Sequence, residues 1–315
     1  MSLTGYSELA DRIRHRGARV VALQFPAGLK RRAAEMAGAL RKEGFEVILS
    51  GDPCYGACDL ALETLDYADV LVHFGHTPIE KEPQRVLYEP FYVDFDPEVL
   101  GRALPLLRSQ TIGLVTTAQH IHLIGNMREF LAKKGIHALV TGGSRGCAEG
   151  QVLGCAFSAA RVPGAEEILF VGTGVFHPLG VQLATGLRVV ALDPFSGEAG
   201  EVDGQRFLRK RMALLEKARS AEQIGLLVST KPGQNRYRKA RDLASRAENA
   251  FVILMDEISP DELLNLGFGA YVNFACPRLA YDDQVRFPVP VLTPQEFEIL
   301  LGIRPFGEYQ VDELG

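Results

Sequence analysis

The sequence predicts an α/β protein of three repeated units, each a small, mostly parallel sheet flanked by helices, set around a central site. Three observations lead there. The chain has 315 residues, more than one ordinary core takes, so two or three compact units are expected. Three β-branched runs open alike, at residues 19–25 (RVVALQF), 111–116 (TIGLVT) and 224–229 (IGLLVS). These runs and the strands after them are apolar on both faces and alternate with helical stretches, the pattern of parallel sheets covered by helices.

Each unit is expected to run through the same elements. After the first strand, Leu29, Ala33, Ala37 and Leu40 recur at helical spacing, with Gly44 as the stop. A second strand follows at 47–50, 138–141 and 251–255. After another helix comes a third strand, at 70–74, 168–172 and 271–274. A fourth apolar strand closes each unit near 86–92, 189–192 and 289–292. Boundaries near residues 104 and 200 give units 1–104, 105–200 and 201–315, each about 100 residues and of ordinary domain size. The second junction is marked by a small, polar link at 196–200 (SGEAG), after which Phe207, Met212 and Leu215 lie on a long helix.

Composition excludes several classes. A hydrophobic fraction of 47% with 23% charged residues rules out disorder and collagen-like structure. No apolar run approaches the roughly 18 residues of a membrane helix, so no membrane partner is expected. The opening MSLTGYSELADRIRHRG reads as an amphipathic helix, not a signal peptide. A net charge of −5, from 34 basic and 39 acidic residues, gives no sign of direct nucleic-acid binding. Lys30-Arg31-Arg32 and Arg209-Lys210-Arg211 read as solvated helix faces. Five cysteines without a secretory signal are expected to be free thiols, metal ligands or nucleophiles of a reducing cytoplasm.

All five cysteines fall at predicted strand ends, in Gly- or Pro-containing loops, where open α/β sheets bind ligands. Cys54 and Cys58 follow the second strand of unit one, Cys147 and Cys155 that of unit two, and Cys276 the third strand of unit three. A lone free cysteine is usually a small buried hydrophobe. Five of them in such loops, with at least one per unit, suggest thiolates converging on an iron–sulfur cluster or zinc, the soft-metal choices. A three-cysteine 4Fe–4S cluster leaves one iron open to substrate, whereas zinc wants a fourth ligand from Cys54, Cys147 or a histidine. Spacing does not decide the metal.

The segments GDPCYGACDLA (51–61), HFGHT (73–77), GQVLGC (150–155) and NFACPRLAYDD (273–283) resemble the diphthamide synthase family, as do GTGVFHPLG (172–180), LDPF (192–195) and KPGQNR (231–236). The resemblance runs from about Phe25 to Asp283, and looks like the archaeal single-chain, homodimeric form. It implies the first step of diphthamide biosynthesis, formation of 2-(3-amino-3-carboxypropyl)histidine. It further implies that Cys58, Cys155 and Cys276 bind a 4Fe–4S cluster while Cys54 and Cys147 stand outside it. The family's chemistry is an unusual radical cleavage of S-adenosylmethionine, its acceptor a histidine of translation elongation factor 2, its electrons from an external one-electron donor. The CxxxCxxC loop of the common radical enzymes is absent here, as the family leads one to expect.

A sulfonium co-substrate with a carboxylate asks for backbone N–H donors beside the cluster. Gly172-Thr173-Gly174 and Pro232-Gly233-Gln234 lie at strand ends and suit that task, with Gly28 a parallel candidate and Gln234 or Arg236 adding side-chain donors. Each Gly segment also reads as an ordinary turn. His76 and His177 are candidates to line the cavity, or else to satisfy backbone groups. Gln119-His120-Ile121-His122 reads as a surface or helix-start segment, and Asp282-Asp283 as orienting the last cysteine loop or capping a helix. Two alternatives share part of this pattern. One is a three-cysteine cluster acting as Lewis acid or electron relay on a small molecule, as in quinolinate synthase; it would call for several convergent cations, and the cysteine loops offer only Arg145 and Arg278. The other is a non-catalytic scaffold subunit bearing zinc or a cluster.

Overall fold

The structure, a computed structural model, describes residues 5–79 and 83–314. The chain divides into two compact units, Met1–Val93 and Asp94–Gly315.

The first unit contains α1 (Gly5–His15), β1 (Val20–Gln24), α2 (Ala33–Lys42), β2 (Glu46–Leu49), β3 (Val70–Phe74) and β4 (Val86–Glu89). Its strands are all parallel, in the order β2-β1-β3-β4. The helical repeat read from Leu29 is a 3-10 turn, Ala27–Arg32, that continues into α2. Leu9 and Ile13 of α1, with Met36, Ala37 and Leu40 of α2, bury Val21, Leu23, Val70 and Val72. Strand β4 stops before Pro90, which has no N–H for the ladder, and is shorter than the sequence suggests.

The second unit holds two further sheets. The first comprises β5 (Thr111–Thr116), α3 (Ile124–Lys133), β6 (His137–Leu139), β7 (Glu167–Val171), α4 (Phe176–Thr185), β8 (Arg188–Leu192) and β9 (Ala199–Glu201). The second comprises α5 (Gly204–Ala218), β10 (Ile224–Ser229), α6 (Tyr237–Ala244), β11 (Ala250–Met255), α7 (Pro260–Leu266), β12 (Ala270–Asn273), α8 (Arg278–Tyr281), β13 (Val291–Leu292) and α9 (Pro294–Leu300). Their orders, β6-β5-β7-β8-β9 and β11-β10-β12-β13, repeat that of the first unit. All pairs are parallel except β8–β9. The molecule is thus an α/β protein of three mostly parallel sheets flanked by helices.

Strand period explains the two-sided apolar pattern. Leu169 and Val171 of β7 face one core with Met127 and Leu131 of α3, while Ile168 and Phe170 face another with Val181 of α4. Val272 and Phe274 likewise face a different core from Tyr271.

Three readings are corrected. The helix expected between the second and third strands is, among the described residues, only a 3-10 turn in the first two sheets, Leu62–Asp66 and Ser158–Ala160, and an α-helix, α7, in the third. The link at 196–200 is no open spacer: Ala199–Glu201 pairs antiparallel with β8 as an edge strand. Arg209 and Lys210 are exposed, but Arg211 is only 2% exposed. Its guanidinium donates to Glu296 at 2.7 and 2.5 Å and to the carbonyls of Ala280 and Val291 at 2.6 and 2.9 Å, joining α5 to α8, β13 and α9.

Candidate functional site

In the first unit the cysteine loop is braced from beneath by one buried side chain. Gln24, the last residue of β1, donates through Nε2 to the Asp59 carbonyl at 2.8 Å. Its Oε1 accepts the Ala61 N–H at 3.2 Å and lies 2.7 Å from His73 Nδ1. These partners fix the amide's orientation, so His73 Nδ1 carries the proton and donates. His73 Nε2 is therefore an acceptor, 2.9 Å from His76 Nδ1. At its start the loop is tied by Lys30 Nζ, which donates to the carbonyls of Gly51 and Asp52 at 2.8 and 2.7 Å. Gly75 has φ +88°, and a Cβ there would stand 2.9 Å from Pro26 Cγ, so the loops after β1 and β3 touch where only glycine fits. Cys58 is half-buried on this loop and Cys54 is buried.

In the second unit, the chain after Cys147 returns to the sheet: Thr116 N–H donates to the Gly150 carbonyl at 2.8 Å and Val152 N–H to the Thr116 carbonyl at 2.9 Å. Leu153 and Ala156 then exchange two backbone hydrogen bonds, of 3.0 and 3.3 Å, leaving Gly154 and Cys155 as the tip of a tight turn. A Cβ on Gly154 would stand 2.6 Å from Phe176 Cε1, so this turn lies against α4. Cys276 follows β12, whose last residue, Asn273, accepts the Ala275 N–H at 3.0 Å and donates to the Cys276 carbonyl at 2.8 Å.

One segment holds both loops. The Cys155 carbonyl accepts the Leu314 N–H at 2.8 Å, and the Phe157 N–H donates to the Glu313 carboxylate at 2.9 Å. Asp312, fully buried, receives two hydrogen bonds from Arg236, at 2.6 and 2.9 Å. Arg236 in turn donates to the carbonyls of Asn273, Phe274 and Ala275 at 3.2, 3.1 and 2.8 Å. Arg278, two residues after Cys276, lies over the Phe176 ring at 5.5 Å, so the Cys155 turn and the Cys276 helix share a neighbour.

The other expected residues fall as follows. Gly28 is exposed in the turn after β1, with space around it. Thr173 and Gly174 are exposed between β7 and α4, and Gly174 borders a cleft of about 590 Å³ with Phe176, Asp203, Lys210, Tyr281 and Asp282. The Gly233 carbonyl accepts from Arg145 at 3.4 Å, and Gln234 is buried. Asp282 caps no helix with its side chain; it pairs with Arg278 at 3.0 Å. The 119–122 segment is a helix start, one of its two readings: His120 precedes the 3-10 turn Ile121–Leu123 that leads into α3, buried against Phe95 and Phe195 and not on the surface, while His122 pairs with Asp94 at 2.7 Å.

Sequence reasoning missed three residues that orient these loops, Gln24, Asn273 and Asp312, and noted Arg145 only as a cation of a cysteine loop. Gln24 and Asn273 carried a signal, a polar residue closing an apolar strand run. Arg145 has φ +57° and reaches both Gly233 and the Leu314 carbonyl, at 3.4 and 3.2 Å. That is a strained backbone held by its contacts.

Burial sets the ionisation. It pushes the Cys54 thiol up to about 12 and Cys147 to about 11. It lowers His73 to about 3, and His76 and His177 to about 4, with His177 further opposed by the Arg278 charge. Unfolded, each histidine titrates near 6.5, so below that pH the unfolded chain binds more protons. Stability is therefore complete above about pH 6.5 and falls with pH by about 1.4 kcal/mol per unit per histidine until the folded values are reached. In metal-free protein, calorimetry is expected to show thermal midpoints declining steadily from pH 6.5 to 4.5, with a shallower decline in His177→Gln. A flat profile would show that the imidazoles charge within the fold.

Half-buried thiols on side-chain-braced loops at the ends of parallel strands define an α/β protein equipped for a soft-metal group. No described cysteine is in a disulfide, and the thiol donors of Cys58, Cys155 and Cys276 fit a 4Fe–4S cluster chemically. The diphthamide synthesis family model matches residues 25–310. A 2-(3-amino-3-carboxypropyl)histidine synthase from Pyrococcus horikoshii is 41% identical over 98% of this chain and 92% of its own. Subunit 1 of that synthase from Encephalitozoon cuniculi is 31% identical over 95% and 87%. The crystal structure of Dph2 from Pyrococcus horikoshii with its 4Fe–4S cluster superimposes with a TM-score of 0.90 at 39% identity, covering 98% of this chain and 93% of that one. The chain belongs to the diphthamide synthesis family. Among the described residues, no helix is long and apolar enough to cross a membrane.

Proposed function

We propose that this protein catalyses the first step of diphthamide biosynthesis, transferring the 3-amino-3-carboxypropyl group of S-adenosylmethionine to a histidine of translation elongation factor 2. The observation that carries this reading is the pinning of the Cys155 and Cys276 loops by the single segment 312–314, in a chain similar along nearly its whole length to a synthase of that name.

In this reading Cys58, Cys155 and Cys276 bind a 4Fe–4S cluster, and Cys54 and Cys147 stand outside it. When bound and reduced by an external one-electron donor, the cluster would supply the electron for cleavage of the Cγ–S bond of S-adenosylmethionine, with methylthioadenosine as the leaving group, and the product of addition to the acceptor imidazole must give up one electron and one proton to restore the ring. The chain's own work is positional. Backbone N–H groups of Thr173, Gly174 and Gly233 serve the co-substrate's carboxylate, with Gly28 doing so in the first unit, whereas those of Gly172 and Gln234 are spent on the Leu192 and Lys231 carbonyls at 2.9 and 3.0 Å. Arg236 spends most of its five donors on Asp312 and three carbonyls; one Nη1 hydrogen remains for a ligand. A three-unit division near residues 104 and 200, a homodimeric state and a cytoplasmic location complete the reading.

The test is anaerobic incubation of cluster-loaded protein with dithionite and S-adenosylmethionine, with small products identified by mass spectrometry. Methylthioadenosine with 2-aminobutyrate or homocysteine sulfinate is expected. Deoxyadenosine with methionine, or no cleavage by protein of full iron content, would overturn it, the latter in favour of Lewis-acid chemistry.

A further inference from the structure

The described residues hold a second set of soft-metal donors that the proposed reaction does not use. Cys54 Sγ, one nitrogen of His73 and one of His76 all lie within 4.8 Å of one another in the first unit. They come from three places: the loop after β2, the interior of β3, and the turn after it. We propose that Cys54, His73 and His76 form a binding site for a divalent zinc-like cation, with three protein ligands and one position left open.

Three features of the geometry favour a metal. Tetrahedral zinc, with bonds of about 2.0 Å to nitrogen and 2.3 Å to sulfur, sets its ligand atoms about 3.3 to 3.7 Å apart. The observed spread closes to that with side-chain shifts of about 1 Å, and the His73–His76 nitrogen pair, at 2.9 Å, has only to open slightly. His73 is already oriented as metal-binding histidines are: its Nδ1–H is held by Gln24 at 2.7 Å, which leaves the Nε2 lone pair facing the site. The Gly56 N–H donates to the Cys54 sulfur, a contact that suits a thiolate. On binding, Cys54 loses its thiol proton to solvent as the S–Zn bond forms, and His76 moves its proton from Nδ1 to Nε2, so one proton is released per ion. One thiolate and two imidazoles are three protein ligands of the types zinc takes, and three protein ligands leave the fourth tetrahedral position open to water or substrate.

The test uses the full chain bearing Cys155→Ser and Cys276→Ser, stripped of iron, so that it reads zinc independently of any activity. Titration against a chromophoric chelator is expected to find one equivalent of zinc. Cys54→Ser and His76→Gln should each weaken binding at least about 10-fold, and Gln24→Leu by about 10-fold through the loss of its hold on His73. Zinc X-ray absorption on protein with all three ligands intact is expected to show one sulfur and two imidazole nitrogens, a readout that needs no variant to fold. Less than a tenth of an equivalent bound, unchanged affinity in folded Cys54→Ser, or a shell of oxygen or of sulfur alone would overturn the site.

Discussion

Protein reconstituted anaerobically with iron and sulfide should lose most of its cluster in Cys58→Ala, Cys155→Ala and Cys276→Ala, and keep it in Cys54→Ala and Cys147→Ala. A cluster held by three thiolates has no spare ligand, and losing one leaves an iron without protein attachment. Cys54 and Cys147 stand outside the cluster in this reading, and Cys54 is buried. Cys155 is also not a position a neighbour can replace. Its turn is two residues long, closed by the Leu153–Ala156 pair and packed on Phe176. Iron content per chain and the electron paramagnetic resonance signal of the reduced protein measure the outcome. Equal loss in all five variants, or full iron in Cys155→Ala, would end the ligand assignment.

Arg211→Met is expected to be the most destabilising single change away from the cysteines. Arg211 and Glu296 are 2% and 0% exposed, and the arginine makes four hydrogen bonds, two to the carboxylate and two to carbonyls. Removing the cation leaves Glu296 charged and buried, a loss of about 3 to 5 kcal/mol. For a unit of this size, that lowers the thermal midpoint by roughly 10 °C. The double variant Arg211→Met, Glu296→Leu should recover part of this, since no lone charge then remains. Recovery is incomplete because Glu296 also accepts the Thr293 N–H at 2.8 Å at the start of α9 and the Tyr309 hydroxyl at 3.0 Å. Scanning calorimetry on the single and double variants decides it. A single variant within a degree or two of the parent would show that the buried pair contributes little to stability.

Much of the architecture was legible because its signals are local. A run such as residues 168–171 must put alternate side chains on opposite faces, and both faces are apolar only where helices cover both. The same run order recurs three times, and so does the strand order. The cysteine loops were legible for a related reason: Gly and Pro punctuate them, and they follow strands at the end where ligands sit. The edge strand Ala199–Glu201 was not, because two small residues and an exposed glutamate carry no apolar pattern, and its pairing partner is what makes it a strand.

Arg211 shows where local reading stops. Its neighbours Arg209 and Lys210 are solvated as their helix predicts, and nothing in that tripeptide distinguishes the one that meets Glu296, 85 residues on. The same holds for Asp312, which meets Arg236 across 76 positions, and for the Gln24–His73–His76 chain: His76 was a candidate from its motif, but its link through His73 to Gln24 exists only because β1 and β3 lie side by side. What the sequence alone determined was what periodicity and turn chemistry can express: three sheets, their helices, and thiols at strand ends. Which side chains hold those thiol loops, and which cations are buried, was decided only by the tertiary structure, because a buried polar group is stable only where distant chain brings it a partner.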